Sequence, residues 1–381
     1  MNNLDNTASV PPSASLSRLE LVGQLRTCLI DLLPDAETLW NQTNDSTFAF
    51  RGHLVMDSDQ AYAVLRERFA ELGYTPLLQR QKDFDIVVAI RHVFKTKRTH
   101  WLVNLILLLL TLCTTTLMGA VMEQGELLLE NQRLFLEQPW LILSGVPASL
   151  TIMGILGVHE LAHYFVARRH GLDTSLPFFI PMPFSWVGTM GAIIRIRAPW
   201  ESRKALFDVG IAGPVAGLII ALPIFFVGLL ISPVLPPQPN SVTLGSPLLL
   251  RWLEDLVHVI RQIPPGYDIY VNAMAYFAWF GVVITGYNLM PIGQLDGGHV
   301  IYALLGRWAQ VVGIITLVAM FALGALVWNG WYVWAALIMF SGWRHPPPLN
   351  SVAPLGTRRM VVGILLFVLA ALILTPLPMS Q

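Results

Sequence analysis

The sequence predicts a mainly α, polytopic membrane protein of about seven transmembrane helices with a re-entrant or β-hairpin loop, preceded by a small α/β soluble domain. Three observations predict it. Hydrophobic residues make up 54% of the 381 and charged residues only 13%, where a soluble domain carries about a quarter charged. The apolar residues gather into long uncharged runs, which gives a mean hydropathy of +0.58. Lysine and arginine are spread very unevenly among the segments that join those runs.

The same composition excludes several classes. The formal net charge is zero and no basic or acidic block stands out, so nothing points to nucleic acid as a partner. Two cysteines, Cys28 and Cys113, give neither a disulfide framework nor a CxxC metal pair. Cys113 lies in an apolar run and reads as a small buried or lipid-facing residue. The opening MNNLDNTASVPPSASLS lacks the basic and apolar regions of a signal peptide and the arginines of a transit peptide. A bacterial membrane protein is the expectation.

Along the chain, residues 1–46 read as a disordered or linker lead-in, rich in Ser, Asn and Pro over 1–17. Residues 47–95 read as a small cytoplasmic βαββ domain. TFAFRG and DIVVAI are its strands. Between them Asp57 or Ser58 caps a helix that carries Ala61, Val64, Leu65, Phe69 and Leu72 on one face and ends at Gly73. Residues 96–381 read as the membrane domain. Its first span is WLVNLILLLLTLCTTTLMGAVM, uncharged and long enough to cross a bilayer, which takes about 20 residues. Further spans are expected at 139–167, 206–231, 272–292, 308–328, 329–343 and 360–377. The short sixth follows Asn329-Gly330, a break suited to a tight helical hairpin.

Charge placement orients the spans. If the chain starts inside and alternates sides, thirteen cations fall inside: Lys95, Lys97, Arg98, Arg168, Arg169, Arg195, Arg197, Arg203, Lys204, Arg307, Arg344, Arg358 and Arg359. Only Arg133, Arg251 and Arg261 fall outside. That bias places the N-terminus in the cytoplasm and the C-terminus outside. In the outer connection 236–270, SPLLLRWLEDLVHVIRQ has apolar residues at helical spacing and reads as a helix lying on the membrane surface.

The second span ends in His159-Glu160-Leu161-Ala162-His163. Four residues apart on a helix, His159 and His163 share a face and can bind one Zn2+, with Glu160 beside them as a base toward water. Ionisable residues within an apolar span are expensive and imply function. The plainer alternative is an interfacial polar cluster. It suits Arg168, Arg169 and His170, which sit just before Gly171, but His163 lies about 8 Å deeper than Arg168. Zinc in a hydrolase takes three protein ligands and leaves one position open. Asp296, a lone acid after 27 uncharged residues, supplies the third. Pro291 and Gly297-Gly298 are expected to break the helix there, which is tolerated only where backbone lines a cavity or is buried in protein. His299, three residues on, is a rival ligand; the carboxylate is preferred because it offsets the charge of a dication at low dielectric.

HELAH together with Asn288-x-x-Pro291-x-x-x-Leu295-Asp296-Gly297-Gly298 closely resembles the paired signature of the site-2 protease family of intramembrane zinc metalloproteases. Gly188-Thr189-Met190-Gly191-Ala192 and Ala212-Gly213-Pro214-Val215-Ala216-Gly217 agree with it, and the resemblance covers about residues 100–350. The soluble N-terminal domain and the late Arg344-to-Pro348 segment look most like the cyanobacterial and plastid branch, the ethylene-dependent gravitropism-deficient and yellow-green proteases. The resemblance implies one Zn2+ per chain on His159, His163 and Asp296, with Glu160 and Asn288 catalytic, although on the residues alone Asn288 could equally cap the broken helix. It also implies that Gly188, Thr189, Gly191 and Ala192 bind an unwound substrate as an added strand, where the residues alone fit equally an interfacial loop that only seals the site. Substrates would be transmembrane or membrane-embedded proteins, in a bacterial plasma membrane or a thylakoid. Two other functions compete. A metal or ion transporter usually shows an internal repeat around a midplane site, and none is found here. A non-catalytic scaffold would not need Glu160, which zinc binding does not require.

Overall fold

The computed structural model describes residues 18–39, 47–91, 100–236, 243–377 and 379–380. The Ser- and Pro-rich opening at 1–17 lies outside the described residues. The chain divides into two compact units, one of residues 1–95 with Leu349–Ala353, the other of Thr96–Pro348 with Pro354–Gln381.

In the first unit the alternation of TFAFRG produces strand β2 (Thr47–Gly52), which buries Phe48 and Phe50 on one face. Helix α2 (Ser58–Glu71) starts where the Asp57 side chain accepts from the Asp59 N–H, satisfying an otherwise orphaned donor. It ends before Gly73, whose φ of +76° is the left-handed stop that favours glycine. Strands β3 (Thr75–Gln81) and β4 (Phe84–Ile90) follow as a hairpin. With β1 (Glu37–Leu39), the sheet order is β1-β2-β4-β3, every pair antiparallel.

Within the 1–46 stretch expected as a lead-in, residues 18–39 are described and carry regular structure. Helix α1 (Arg18–Thr27) and strand β1 (Glu37–Leu39) belong to this unit. Leu25, Leu29, Leu32 and Leu33 are buried against Phe50, Leu65 and Phe69. Each such leucine contributes about 1.5–3 kcal/mol by leaving water, enough to order a stretch with weak periodicity. Leu349–Ala353 completes the unit: the Leu78 N–H donates to the Leu349 carbonyl, and the Ser351 N–H to the Leu78 carbonyl. Asn350 Nδ2 donates to the Ser58 carbonyl at 3.1 Å.

The second unit is helical. Helix α3 (Trp101–Glu123) is followed by two short turns, α4 (Gly125–Glu130) and α5 (Leu134–Glu137), and a 3-10 turn over Pro139–Gly145. Helix α6 (Val146–Arg169) then leads into a hairpin of β5 (Phe178–Pro181) and β6 (Thr189–Ile193). Helix α7 (Arg203–Ile231) packs against α6, against α9 (Ala273–Asn288) and against α10 (Asp296–Leu305). Amphipathic α8 (Leu248–Arg261) buries Leu250 and Val257 and exposes Leu248, Trp252, Leu256 and Val259. Helices α11 (Ala309–Leu326), α12 (Gly330–Ser341) and α13 (Thr357–Ile373) complete the set. Two short antiparallel pairs join β7 (Val234–Leu235) to β9 (Asp268–Ile269), and β8 (Thr243–Leu244) to β10 (Met379–Ser380).

Among the described residues, four helical stretches are long and apolar enough to cross a membrane: Trp101–Glu123, Pro139–Arg169, Arg203–Ile231 and Asp296–Leu326. Helices α9, α12 and α13 are shorter, with 16, 12 and 17 residues.

The expected helix break falls at 289–295, after α9, and includes Pro291, whereas Gly297 and Gly298 do not break the helix but form the first turn of α10. Their role is close approach. A side chain at 297 would collide with the Leu289 and Met290 carbonyls, and one at 298 with those of Ile292 and Gly293. The turn that breaks the helix is folded directly beneath the start of the next one.

Candidate metal centre

Helix α6 carries His159, Glu160 and His163, all buried. The first turn of α10 brings Asp296 to them. The Nε2 atoms of His159 and His163 stand 3.0 Å apart. Asp296 Oδ2 is 3.2 Å from His159 Nε2, and Asp296 Oδ1 is 3.2 Å from His163 Nε2. These three are the described residues able to converge on one ion.

The donor set fits zinc. Bonds of about 2.0–2.1 Å at tetrahedral angles put ligand atoms about 3.3 Å apart, close to the three separations found. Tautomer chemistry agrees. His163 Nδ1 lies 2.7 Å from the Val209 carbonyl, which can only accept, so Nδ1 carries the hydrogen. Nε2 then offers a lone pair toward the centre, as a histidine ligand oriented by a backbone carbonyl does. With the carboxylate oxygens, the site gathers lone pairs that a cation would satisfy.

Helix α7 makes room for the two rings. A side chain at Gly213 would occupy the place of the His163 imidazole, and one at Gly217 would come within 3.2 Å of His159 Nδ1. At Gly210 the crowded atoms are His299 Cβ and Val300 Cγ2, both at 3.1 Å. The small residues at 212–217 thus bring α7 against the histidine face of α6, and Val209 on the same helix orients His163.

Glu160 points a different way from its flanking histidines. Its carboxylate meets the backbone N–H of Ile194, one residue beyond β6. The hairpin therefore ends beside the acid. Thr189 ties the two strands together: its hydroxyl donates to the Ile180 carbonyl at 2.9 Å and accepts from the Gly191 N–H at 3.0 Å. Gly188 and Gly191 take left-handed φ values of +79° and +112°. Thr114 Oγ1 of α3 donates to the Gly188 carbonyl at 2.7 Å. Ala192 pairs with Phe179, and among the described residues the other edge of β6 has no strand partner.

Asn288 is the last residue of α9, half-buried, and its amide makes no hydrogen bond among the described residues. His299 stands apart from the trio. Its Nδ1 is 2.7 Å from His345 Nε2, and its ring lies 5.0 Å from that of Trp200. The His299–His345 pair and the Val209 carbonyl were not legible beforehand. A backbone carbonyl has no residue-type signature, and His345 is remote in sequence.

Comparison with known proteins agrees with this site. The model of Peptidase family M50 matches residues 147–326, which contain the trio and Glu160. "Probable zinc metalloprotease EGY2, chloroplastic" of Arabidopsis thaliana is 31% identical over 245 residues, 63% of this chain and 43% of that protein. "Probable zinc metalloprotease EGY1, chloroplastic" of the same plant is 28% identical over 298 residues, 73% of this chain and 53% of that protein. "Probable zinc metallopeptidase EGY3, chloroplastic" is 26% identical over 284 residues, 70% and 48% of the two chains. The chain spans about half the length of the curated relatives it matches.

Proposed function

We propose that the protein, whose residues 147–326 match the model of peptidase family M50, is an intramembrane zinc metalloendopeptidase of the site-2 protease type. The observation that carries this reading is the convergence of His159, His163 and Asp296 in apolar helices, with Glu160 on the adjoining residue.

Held by those three side chains, Zn2+ would supply Lewis-acid polarisation of the scissile carbonyl and a lowered pKa for water. The chain's own groups do the rest. Glu160 takes a proton as the water oxygen adds to the carbonyl carbon, then delivers it to the amine nitrogen as the C–N bond breaks. Asn288, with its amide unengaged, donates to the developing oxyanion or to substrate backbone. The unpaired edge of β6 supports strand addition, which would hold a transmembrane segment extended, with Gly191 and Ala192 permitting close approach. Unwinding a helix in lipid exposes backbone groups at several kcal/mol each, and a strand partner offsets that cost. The scissile carbonyl would then run past Ile194 toward Glu160.

The membrane arrangement in this reading has seven spans, α3, α6, α7, α9, α11, α12 and α13, with the β5–β6 hairpin re-entrant. Its apolar tip supports insertion, since Phe184 and Trp186 are exposed. The short spans fit where neighbours bury them or the bilayer thins. Seven crossings put the C-terminus opposite the cytoplasmic N-terminus. The β8–β10 pairing supports this, because it joins Met379–Ser380 to the connection before α8. Leu349–Ala353, between α12 and α13, belongs to the N-terminal unit, which supports an inner location for that connection. In protein cleared of Cys28 and Cys113, Thr357→Cys should label from the cytoplasmic side and Pro265→Cys from the outer side. The reverse pattern would overturn the orientation. A bacterial plasma membrane or a thylakoid suits the chain, and the chloroplast relatives support the second.

The direct test uses full-length protein reconstituted with a transmembrane substrate. Elemental analysis should find about one Zn2+ per chain, as one three-ligand site requires. Chelation should stop cleavage, and added Zn2+ should restore it. Full activity in metal-free protein would end the proposal.

A further inference from the structure

The base of the hairpin holds a second polar feature that peptide hydrolysis does not use. A cavity of about 270 Å³ opens between the start of α3 and the end of α6, lined among others by Trp101, Asn104, Arg168, Asp173, Thr174 and Arg197. At ~30 Å³ per water it has room for about nine waters, more than one bridging molecule needs.

Its chemistry is that of an anion site short of its anion. Arg168 and Arg197 share a single acid, Asp173, at 3.7 and 3.6 Å. Charge-assisted hydrogen bonds run at about 2.7–2.9 Å, so this carboxylate saturates neither guanidinium. The Arg197 side chain is only 11% exposed, and a cation buried that far needs a close partner. Thr174 is 6% exposed, and its hydroxyl has no hydrogen-bond partner among the described residues. Buried polar groups are nearly always satisfied. Two guanidinium groups served by one distant carboxylate therefore line one cavity, and the Thr174 hydroxyl is closed off from it.

Its depth points to what fills it. Trp101 is the first residue of α3, and Arg168 falls in the last turn of α6. In the seven-span arrangement proposed above, both span ends lie where headgroups meet hydrocarbon, a level at which tryptophan and arginine are at home. Basic pockets between helices on the cytoplasmic face suit anionic headgroups. We propose that this cavity binds the phosphate of an anionic glycerophospholipid, with Arg168 and Arg197 donating to it.

The site also bears on the hairpin. Asn104 Nδ2 donates to the Leu176 and Pro177 carbonyls at 3.0 and 2.9 Å, directly before β5. Residues 173–175 pair with 195–197, where the Arg197 N–H donates to the Asp173 carbonyl and the Ser175 N–H to the Arg195 carbonyl. A bound headgroup would bridge the leg that follows β6, through Arg197, to the end of α6, through Arg168, and steady the base of the hairpin.

Native mass spectrometry of full-length protein in detergent tests the proposal without reference to proteolysis. Wild type should retain one added phosphatidylglycerol in preference to phosphatidylcholine. Arg197→Gln and Arg168→Gln should each weaken retention about fivefold, since a basic residue near anionic lipid is worth about that factor. Arg251→Gln on α8 should change nothing. Arg168 is half-exposed at the rim, so its variant reports even if Arg197→Gln misfolds. Undiminished retention in both variants, or no preference over phosphatidylcholine, would overturn the proposal. Inorganic phosphate displacing the lipid at equal concentration would overturn the lipid assignment and leave a free-anion site.

Discussion

Glu160→Gln is expected to lower peptide-bond hydrolysis by about 10²–10⁴-fold, the usual contribution of a positioned acid–base group, while zinc content stays at the wild-type level. The geometry separates the two effects. Both histidines present Nε2 to Asp296, whereas the Glu160 carboxylate meets the Ile194 N–H. A glutamine at 160 keeps the size and an oxygen that can face the Ile194 N–H. It cannot take a proton from water. His159→Ala removes a ligand and should instead lose the metal, with activity following. Metal analysis and cleavage of a reconstituted substrate, measured on both variants, check this. Equal zinc loss in the two would show that Glu160 serves the metal rather than the proton.

The chemistry-bearing residues were legible because their costs are local. HExxH spacing declares a shared helix face, and an acid that follows 27 uncharged residues declares a partner. Thr47–Gly52 announced itself through alternation, and Gly73 through its position at a helix end. What was not legible depends on backbone supplied from elsewhere. Gly297 and Gly298 read as helix breakers in isolation. They are helical, and glycine is needed because the carbonyls of Leu289, Met290, Ile292 and Gly293 lie against them. Gly213 read as a small packing residue; the structure puts the His163 ring where its side chain would be. Helix α1 and β1 were missed because their order comes from Phe50, Leu65 and Phe69, not from strong periodicity of their own.

The identity of the third ligand gives the other large expected effect. Asp296 and His299 are three apart at the start of α10 and on spacing alone could share a face. Their partners separate them. His345 Nδ1 is 2.6 Å from the Pro346 carbonyl, so it carries a hydrogen. Burial pushes the His345 pKa down to about 4, which leaves its ring neutral at pH 7 and its Nε2 bare. That Nε2 must accept from His299 Nδ1–H. His299 is thereby engaged in holding the 344–348 segment, with Tyr302 stacked on the His345 ring at 4.7 Å. Asp296 engages the histidine pair and brings the only formal negative charge among the three ligands. Asp296→Asn removes that charge and would leave a dication uncompensated at low dielectric. It should weaken zinc binding by more than about 100-fold, beyond what an outer-shell change does, and abolish most cleavage. His299→Gln should keep about one Zn2+ per chain. Its cost should appear as a melting point lower by a few degrees, since one lost hydrogen bond is worth about 1 kcal/mol. Zinc lost from His299→Gln and kept by Asp296→Asn would transfer the ligand role to the histidine.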